Sequence, residues 1–542
     1  MKKVLAMLLA VVMLMSIMAS CGKKGEGDSP KKTESGESFT VALDSDIVKL
    51  DPAFAYDFTT NNVVNQITEG LLSFNDKNEL EPNLASDWKM VDDTTYVYTI
   101  RDDVTFSDGK PMTMDDVLFS LERIRNPENA SNLNWMYSNV ASMEKTGDWE
   151  LTVKLNAPSA TWQYVFATTA GHVISKEYYE NNQDVFGVSG LVGTGPFVLD
   201  SRTEGQEIVL KRNENYWDKD AKLDIDKLVF KIILEDTTRV VALQNGEVDF
   251  TPNTPLDMLD TVKADDKLEV QGVDTLGITY LAFNTQRAPF DDPNVRKAIY
   301  HAIDMDSLHS DIIKEAGNKA SVLPQGPSLY GSDPAAWEAY AEKAPVYEYN
   351  VEKAKEYMAK SSVPDGFKCT LLVSDTSLRY TMALALQNYL KEINIEMEID
   401  KRTTDEHTAY QFADKSKLDE NGIRDYDMIL AGWEADYPDV SGNIEPLYAS
   451  ANAGEGGANA AAYQNETVDS LITQQSQITD PAQRNELLFQ ALDIITQDVP
   501  YIFMDYPVKQ TTINKKYTGF TMNASWMWNL YFKDIHPAAA AD

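Results

Sequence analysis

Two cysteines and five histidines in 542 residues leave little material for covalent or metal-based architecture. With only Cys21 and Cys369 present, a disulfide framework is excluded, and stability must come from packed cores. None of His172, His301, His309, His407 and His536 stands in a paired ligand spacing such as H-E-x-x-H, so neither a zinc hydrolase nor a bound metal is expected. Positive charge is short as well. Lys plus Arg number 48 against 85 Asp plus Glu, and the formal charge of -37 disfavours a general grip on nucleic acid phosphates, although a local basic pocket stays open. No G-x-S-x-G elbow and no Walker loop occurs, and Gly193-Thr194-Gly195-Pro196 does not complete the dinucleotide fingerprint. Carboxylate pairs of the kind a glycosidase uses carry no signal among 85 acids. The chain is therefore expected to be no enzyme and to need no cofactor.

What is present is globular in kind. Hydrophobic residues make up 43%, aromatics 10% and charged residues 25%, and the length suits two to four domains with large cores. The first twenty residues stand apart. Lys2 and Lys3 precede an apolar run over residues 4–19, about 16 long, which is a signal-peptide core and falls short of the roughly 20 residues needed to span a bilayer. The run ends in Met18-Ala19-Ser20-Cys21, which resembles the bacterial lipobox, with Met where Leu is commoner, so Cys21 is expected to become the lipid-modified first residue of the mature protein. An ordinary secretory signal with an incidental Cys21 is the alternative. Residues 22–38 hold no large apolar side chain and read as a tether whose reach is roughly 20 to 25 Å. An exported acidic body held at the cell membrane by lipid rather than by charge follows.

From residue 39 onward the pattern mixes α and β. Trp149, Leu151, Val153 and Leu155 alternate with polar neighbours at the period of a half-buried strand, and residues 95–100 are similarly rich in Tyr, Val and Thr. Asp480-Pro481 predicts a helix start, followed by an apolar stripe of Leu487, Leu488, Ala491, Leu492 and Ile495; Asp292-Pro293 opens another helix in the same way. Residues 369–399 read as a βαβ unit: an apolar strand, a helix with Met382, Ala385, Leu386, Tyr389, Leu390 and Ile393 on one face, then Ile395, Met397 and Ile399 alternating with Glu396 and Glu398. There is no internal repeat and no linker after residue 38 long enough to separate independent domains. Residues 450–457, rich in glycine, are the most loop-like interior stretch. Nine tryptophans and 26 tyrosines are spread through the body, several beside acids and glycines, as in Ala431-Gly432-Trp433-Glu434-Ala435-Asp436-Tyr437. By pattern alone that segment is a buried strand with its exit turn and Trp433 as core.

A set of motifs in fixed order carries further information. Leu50-Asp51-Pro52 is followed by Glu69-Gly70-Leu71-Leu72, by Pro82-Asn83-Leu84-Ala85 before Trp88, and by Phe106-Ser107-Asp108-Gly109-Lys110-Pro111 with Thr113, Asp116 and Val117. Gly193-Thr194-Gly195-Pro196-Phe197, Asn213 with Tyr216-Trp217, Leu243-Gln244-Asn245-Gly246-Glu247-Val248-Asp249, and Phe290-Asp291-Asp292-Pro293 running into Val295-Arg296-Lys297-Ala298 come next. Together these cover nearly the whole mature chain, which resembles the peptide and nickel class of extracytoplasmic solute-binding proteins that feed ATP-driven importers.

The resemblance implies an α/β, two-lobed, type II periplasmic-binding-protein-like hinge fold with an extra inserted domain. Lobe I would comprise residues 39–68, 195–275 and 506–542, the extra domain 69–194 and lobe III 276–505. It implies an extracytoplasmic receptor that captures short peptides between the lobes and delivers them to an ABC permease and its ATPase subunits, acting as a monomer. The same fold binding a metal chelate, an oligosaccharide or an opine is the alternative. In peptide-binding members an aspartate in a Trp-x-Ala-Asp-Tyr segment pairs with the ligand's amino group, which points here to Asp436, with Gly432, Trp433 and Glu434 offering a backbone edge for an added strand. Arg379 falls where some members hold the carboxylate end, and it could equally be a solvated residue at a helix start; a second arginine of those members is replaced here by Leu430. Tyr56, Phe58 and Tyr137 fall at cleft-facing positions of relatives.

Overall fold

One strand of fourteen residues, Tyr501–Asn514, organises the chain. Its first half pairs antiparallel with Gly277–Phe283, with Tyr280 opposite Phe503 and Ala282 opposite Tyr501. Its second half pairs antiparallel with Leu268–Asp274, from Leu268 opposite Asn514 to Asp274 opposite Val508. Leu268–Asp274 and Gly277–Phe283, consecutive in the chain, thus both pair with this one strand, in a single twelve-stranded sheet. The computed structural model describes residues 36–329, 333–525, 527–528 and 530–539, of which Ser38 onward forms one unit. The apolar leader, Cys21 and all but the end of the tether lie outside the described residues.

On one side of the crossing strand the sheet continues through Phe250–Thr251, Ser38–Leu43, Lys227–Ile232, Glu207–Arg212 and Phe197–Thr203. On the other it continues through Gly277–Phe283, Met428–Glu434, Phe367–Ser374 and Ile395–Arg402. The last two are parallel, Phe367 opposite Ile395, and are joined by the helix Ser377–Lys391, as the βαβ pattern predicts. That helix buries Met382, Ala383, Leu386 and Leu390, while Ala385 and Tyr389 sit half-buried at the edge of the same core. The opposite face of the sheet is covered by the helix Pro481–Asp498, whose N-cap Asp480 accepts from the Gln483 amide and whose Leu488, Ala491, Leu492 and Ile495 enter the core. Asp292 caps Pro293–Ala302 in the same manner.

A separate antiparallel sheet of four strands, in the order Ala85–Asp92, Thr95–Ile100, Glu150–Leu155, Val140–Gly147, packs Tyr96, Tyr98, Ile100, Leu151, Val153 and Leu155 against the helix Met114–Arg125. A capping box of Thr113 and Asp116 starts that helix. The segment 193–196 has a steric role. A Cβ at Gly193 would stand 2.3 Å from the Ile67 carbonyl oxygen, and one at Gly195 2.7 Å from that of Gln66. These glycines let the chain pass the C-terminal end of the helix Phe58–Ile67, where the Gly195 amide donates to the Ile67 carbonyl at 2.9 Å. Gly195→Val is expected to cost about 2 to 4 kcal/mol of stability, because backbone and not a flexible side chain must yield. A urea midpoint equal to that of the natural chain would refute this account of the motif.

Candidate functional site

The strand Met428–Glu434 outruns one of its neighbours. Gly277–Phe283 covers its whole length on one edge, but on the other Phe367–Ser374 reaches only Met428, Ile429 and Leu430. Beyond Leu430 that edge has no strand partner among the described residues. The Gln411 side chain occupies part of it, Nε2 donating to the Gly432 carbonyl at 2.7 Å. The backbone groups of Gly432 therefore face the open edge, and those of Glu434 do so by the two-residue period of the strand. Arg379 Nη2 lies 3.0 Å from where a Gly432 Cβ would stand, so glycine at this place leaves room for the guanidinium. The Trp433 indole is fixed by donating to the Gly442 carbonyl at 2.8 Å.

Asp436 lies two residues past the strand, where three distant segments meet. Tyr56 Oη donates to Asp436 Oδ1 at 2.8 Å, and Trp528 Nε1 donates to the Asp436 carbonyl at 2.7 Å. Trp528 is in turn anchored by Asn65 Nδ2, which donates to its carbonyl at 3.0 Å. Tyr437 stacks on Tyr164, which packs against the core of the four-stranded sheet, with ring centres 5.9 Å apart. Among the described residues no lysine, arginine or histidine pairs with Asp436. Burial pushes its carboxyl up to about 6, with the Tyr56 hydrogen bond pulling the other way. A carboxylate held this way, with one oxygen bonded and no cation beside it, is prepared for a positive group from outside.

Asp436 looks into a cavity of about 590 Å³, a size that suits a small-molecule ligand. Tyr56, Trp135, Trp162, Phe412 and Trp433 contribute aromatic wall among smaller polar and apolar side chains, and among the described residues no Lys, Arg or His lines it. A second carboxylate does. Glu445, on the helix Ser441–Tyr448, reaches the cavity; its carbonyl accepts from Asn452 Nδ2 at 3.1 Å, and its carboxylate forms no hydrogen bond or ion pair among the described residues.

The other residues named from sequence distribute as follows. Glu434 Oε1 accepts from the Leu276 amide at 2.9 Å, and burial raises its carboxyl to about 7. Arg379 stands near the open edge outside the cavity lining and makes no hydrogen bond or ion pair among the described residues; burial lowers its pKa, and Tyr280 and Asp505 oppose that. Phe58 opens the helix Phe58–Ile67 with Lys509 Nζ 5.8 Å from its ring, also away from the cavity lining. Tyr137 is 2% exposed, in the core beneath the four-stranded sheet, and its hydroxyl donates to the Ala170 carbonyl at 2.6 Å. Its neighbours Trp135 and Met136, in the same turn Asn134–Tyr137, line the cavity in its place. Trp135, Phe412 and Glu445 were not foreseen. Nothing in their local pattern separates them from other aromatics and acids.

Residues 79–455 match the model of the bacterial extracellular solute-binding proteins, family 5 middle. The chain belongs to this family. It is 26% identical over 516 residues to the glutathione-binding protein GsiB of Escherichia coli (strain K12), covering 95% of each chain. Its fold superposes with a TM-score of 0.76 on the ABC transporter-associated periplasmic binding protein DppA from Helicobacter pylori in complex with peptide STSA, at 25% identity over 93% of this chain and 98% of that one. NikZ from Campylobacter jejuni in complex with Ni(L-His) shares the fold at a TM-score of 0.74 and 21% identity, over 92% and 99% of the two chains. The family consists of extracytoplasmic solute-binding proteins of ABC importers and not of enzymes. The type II binding-protein fold expected from the motif order is the fold of these structures.

Among the described residues no group of three His, Cys, Asp or Glu is placed to hold a metal ion, and no helix is long and apolar enough to cross a membrane.

Proposed function

We propose that this family member captures short peptides by their free amino group and passes them to an ATP-driven permease and its ATPase subunits. The observation that carries the reading is Asp436: a carboxylate in the wall of an aromatic cavity, bonded by Tyr56 and without a cationic partner among the described residues. An ammonium there gains a charge-assisted hydrogen bond in a desolvated setting. The open edge from Gly432 to Glu434 suits a ligand backbone lying as an added strand, and Arg379 beside it offers a cation for a ligand carboxylate. Titration calorimetry of the mature chain, freed of ligand by unfolding and refolding, with pooled di- to pentapeptides and their N-acetylated twins tests this. Heat from the free-amine pool alone is expected. Heat from neither pool would move the function to a non-peptide solute, the reading that a nickel–histidine complex on the same fold keeps in view.

The carboxyl of Asp436 sets a pH dependence. With a value of about 6 it is ionised at pH 7 and mostly protonated at pH 5, and the protonated form offers no charge to an ammonium. The dissociation constant should rise about tenfold from pH 7 to pH 5. A flat profile over that interval would remove Asp436 from the ligand contact. The leader supports anchoring at Cys21. Cys21→Ala should move the protein from the membrane fraction into the soluble exported fraction, and continued retention on membranes would contradict the anchor.

A further inference from the structure

We propose that the cavity beside Asp436 selects peptides whose first residue is lysine or arginine, with Glu445 as the counter-charge for that side chain. The proposal rests on the peptide reading above and adds the chemistry of the first residue. Its ground is an imbalance. The cavity holds two carboxylates, Asp436 and Glu445, and among the described residues no lysine, arginine or histidine lines it. One terminal ammonium answers one of these charges; Glu445 is the other, exposed to water and with no side-chain partner among the described residues, so a cationic first side chain can pair with it without displacing a protein group.

The walls suit a long cationic side chain. Trp135 is 45% exposed and stands edge-on to Tyr56 at 6.5 Å, and Phe412 lies 6.3 Å from Trp433 on the side of lobe III. Such ring faces take the methylene stem of lysine or arginine by apolar contact and the head by cation–π attraction. Glu445 is three residues beyond Gly442, whose carbonyl fixes the Trp433 indole, so both lie on one face of their helix and on the cavity. Asp439, also near Glu445, has a bidentate partner in Arg484 at 2.8 Å for both bonds, and that leaves Glu445 as the unanswered charge of the helix. An acidic first residue would face two carboxylates and is excluded by the same field.

Calorimetric titration of the natural chain and of Glu445→Gln with tripeptides X-Ala-Ala, where X is Lys, Arg, Met or Glu, decides the matter. In the natural chain the Lys and Arg peptides are expected to bind at least about tenfold tighter than the Met peptide, and the Glu peptide at least about tenfold weaker. In Glu445→Gln the Lys peptide should fall to within about threefold of the Met peptide, and a urea midpoint equal to that of the natural chain reports an intact fold. Equal affinity across first residues in the natural chain would overturn the selection while leaving peptide capture in place, whatever the variant does. A Lys preference that survives Glu445→Gln would overturn the assignment to Glu445. Binding of none of the free-amine tripeptides would overturn peptide capture itself, and the selection with it.

Discussion

Asp436→Asn should weaken binding of free-amine peptides by about 30-fold to several thousand-fold and at the same time raise the unfolding temperature of the ligand-free protein. The first effect is the loss of a desolvated charge pair, about 2 to 5 kcal/mol. The second follows from the direction of the pKa shift. The folded carboxyl at about 6 lies above its ordinary 3.8, so between these values the folded state binds more protons than the unfolded one. Folding thus gains stability as pH falls from 7 through 6, and ionisation at neutral pH works against the fold. Asparagine removes that charge, retains an acceptor for Tyr56, and should add about 1 to 3 kcal/mol at pH 7. Glu434 and Asp505, both raised to about 7 by burial, have the same sign, so the variant should keep part of the natural chain's gain on acidification. A variant that binds as before, or that melts lower at pH 7, would contradict the assignment of Asp436 as a binding group held at a cost to stability.

The parts of this architecture that rest on local chemistry were legible in the chain itself. Asp480-Pro481 and Asp292-Pro293 mark helix starts because the cap and the fixed φ of proline act within one turn, and the βαβ unit at 369–399 announces itself by a change of apolar period. The junction around Asp436 is different. Tyr56, Asp436 and Trp528 are separated by 380 and 92 residues and are joined by two hydrogen bonds. No composition or spacing selects one of 85 acids for that place. Asp436 was named through the resemblance of its Trp-x-Ala-Asp-Tyr segment to that of peptide-binding relatives. Resemblance has a resolution limit as well. It pointed to Tyr137, yet the turn Asn134–Tyr137 sends that ring into the core and presents Trp135 and Met136 to the cavity. Glu445 illustrates the same limit from the other side: an ordinary helix acid, whose setting depends on the meeting of its helix with the distant segments around Tyr56 and Trp135.

Asp51→Ala should destabilise the protein by about 3 to 5 kcal/mol and loosen the ligand site with it. Asp51 is fully buried and takes a bidentate grip from Arg123, Nη1 to Oδ1 at 2.9 Å and Nη2 to Oδ2 at 2.5 Å. The guanidinium lies over Tyr179 at 4.8 Å and Phe186 at 5.3 Å from the ring centres, so removal of the carboxylate leaves a cation enclosed by rings. The pair joins the loop after the strand Ser38–Leu43 to the helix Met114–Arg125, which packs on the four-stranded sheet. That loop carries Tyr56, the hydrogen-bond donor to Asp436, and the turn Asn134–Tyr137 that follows the helix carries Trp135, another wall of the cavity. Loss of the pair therefore acts twice, through an unpaired buried charge and through the relative placement of two cavity walls. The double variant Asp51→Leu, Arg123→Met separates the two effects. Stability should largely return, since apolar side chains can replace a buried ion pair, while affinity for free-amine peptides should stay below that of the natural chain if the pair sets the position of Tyr56. Urea midpoints and calorimetric titrations on the natural chain, Asp51→Ala and the double variant measure both quantities. Full recovery of affinity in the double variant would show that the pair supports the fold alone.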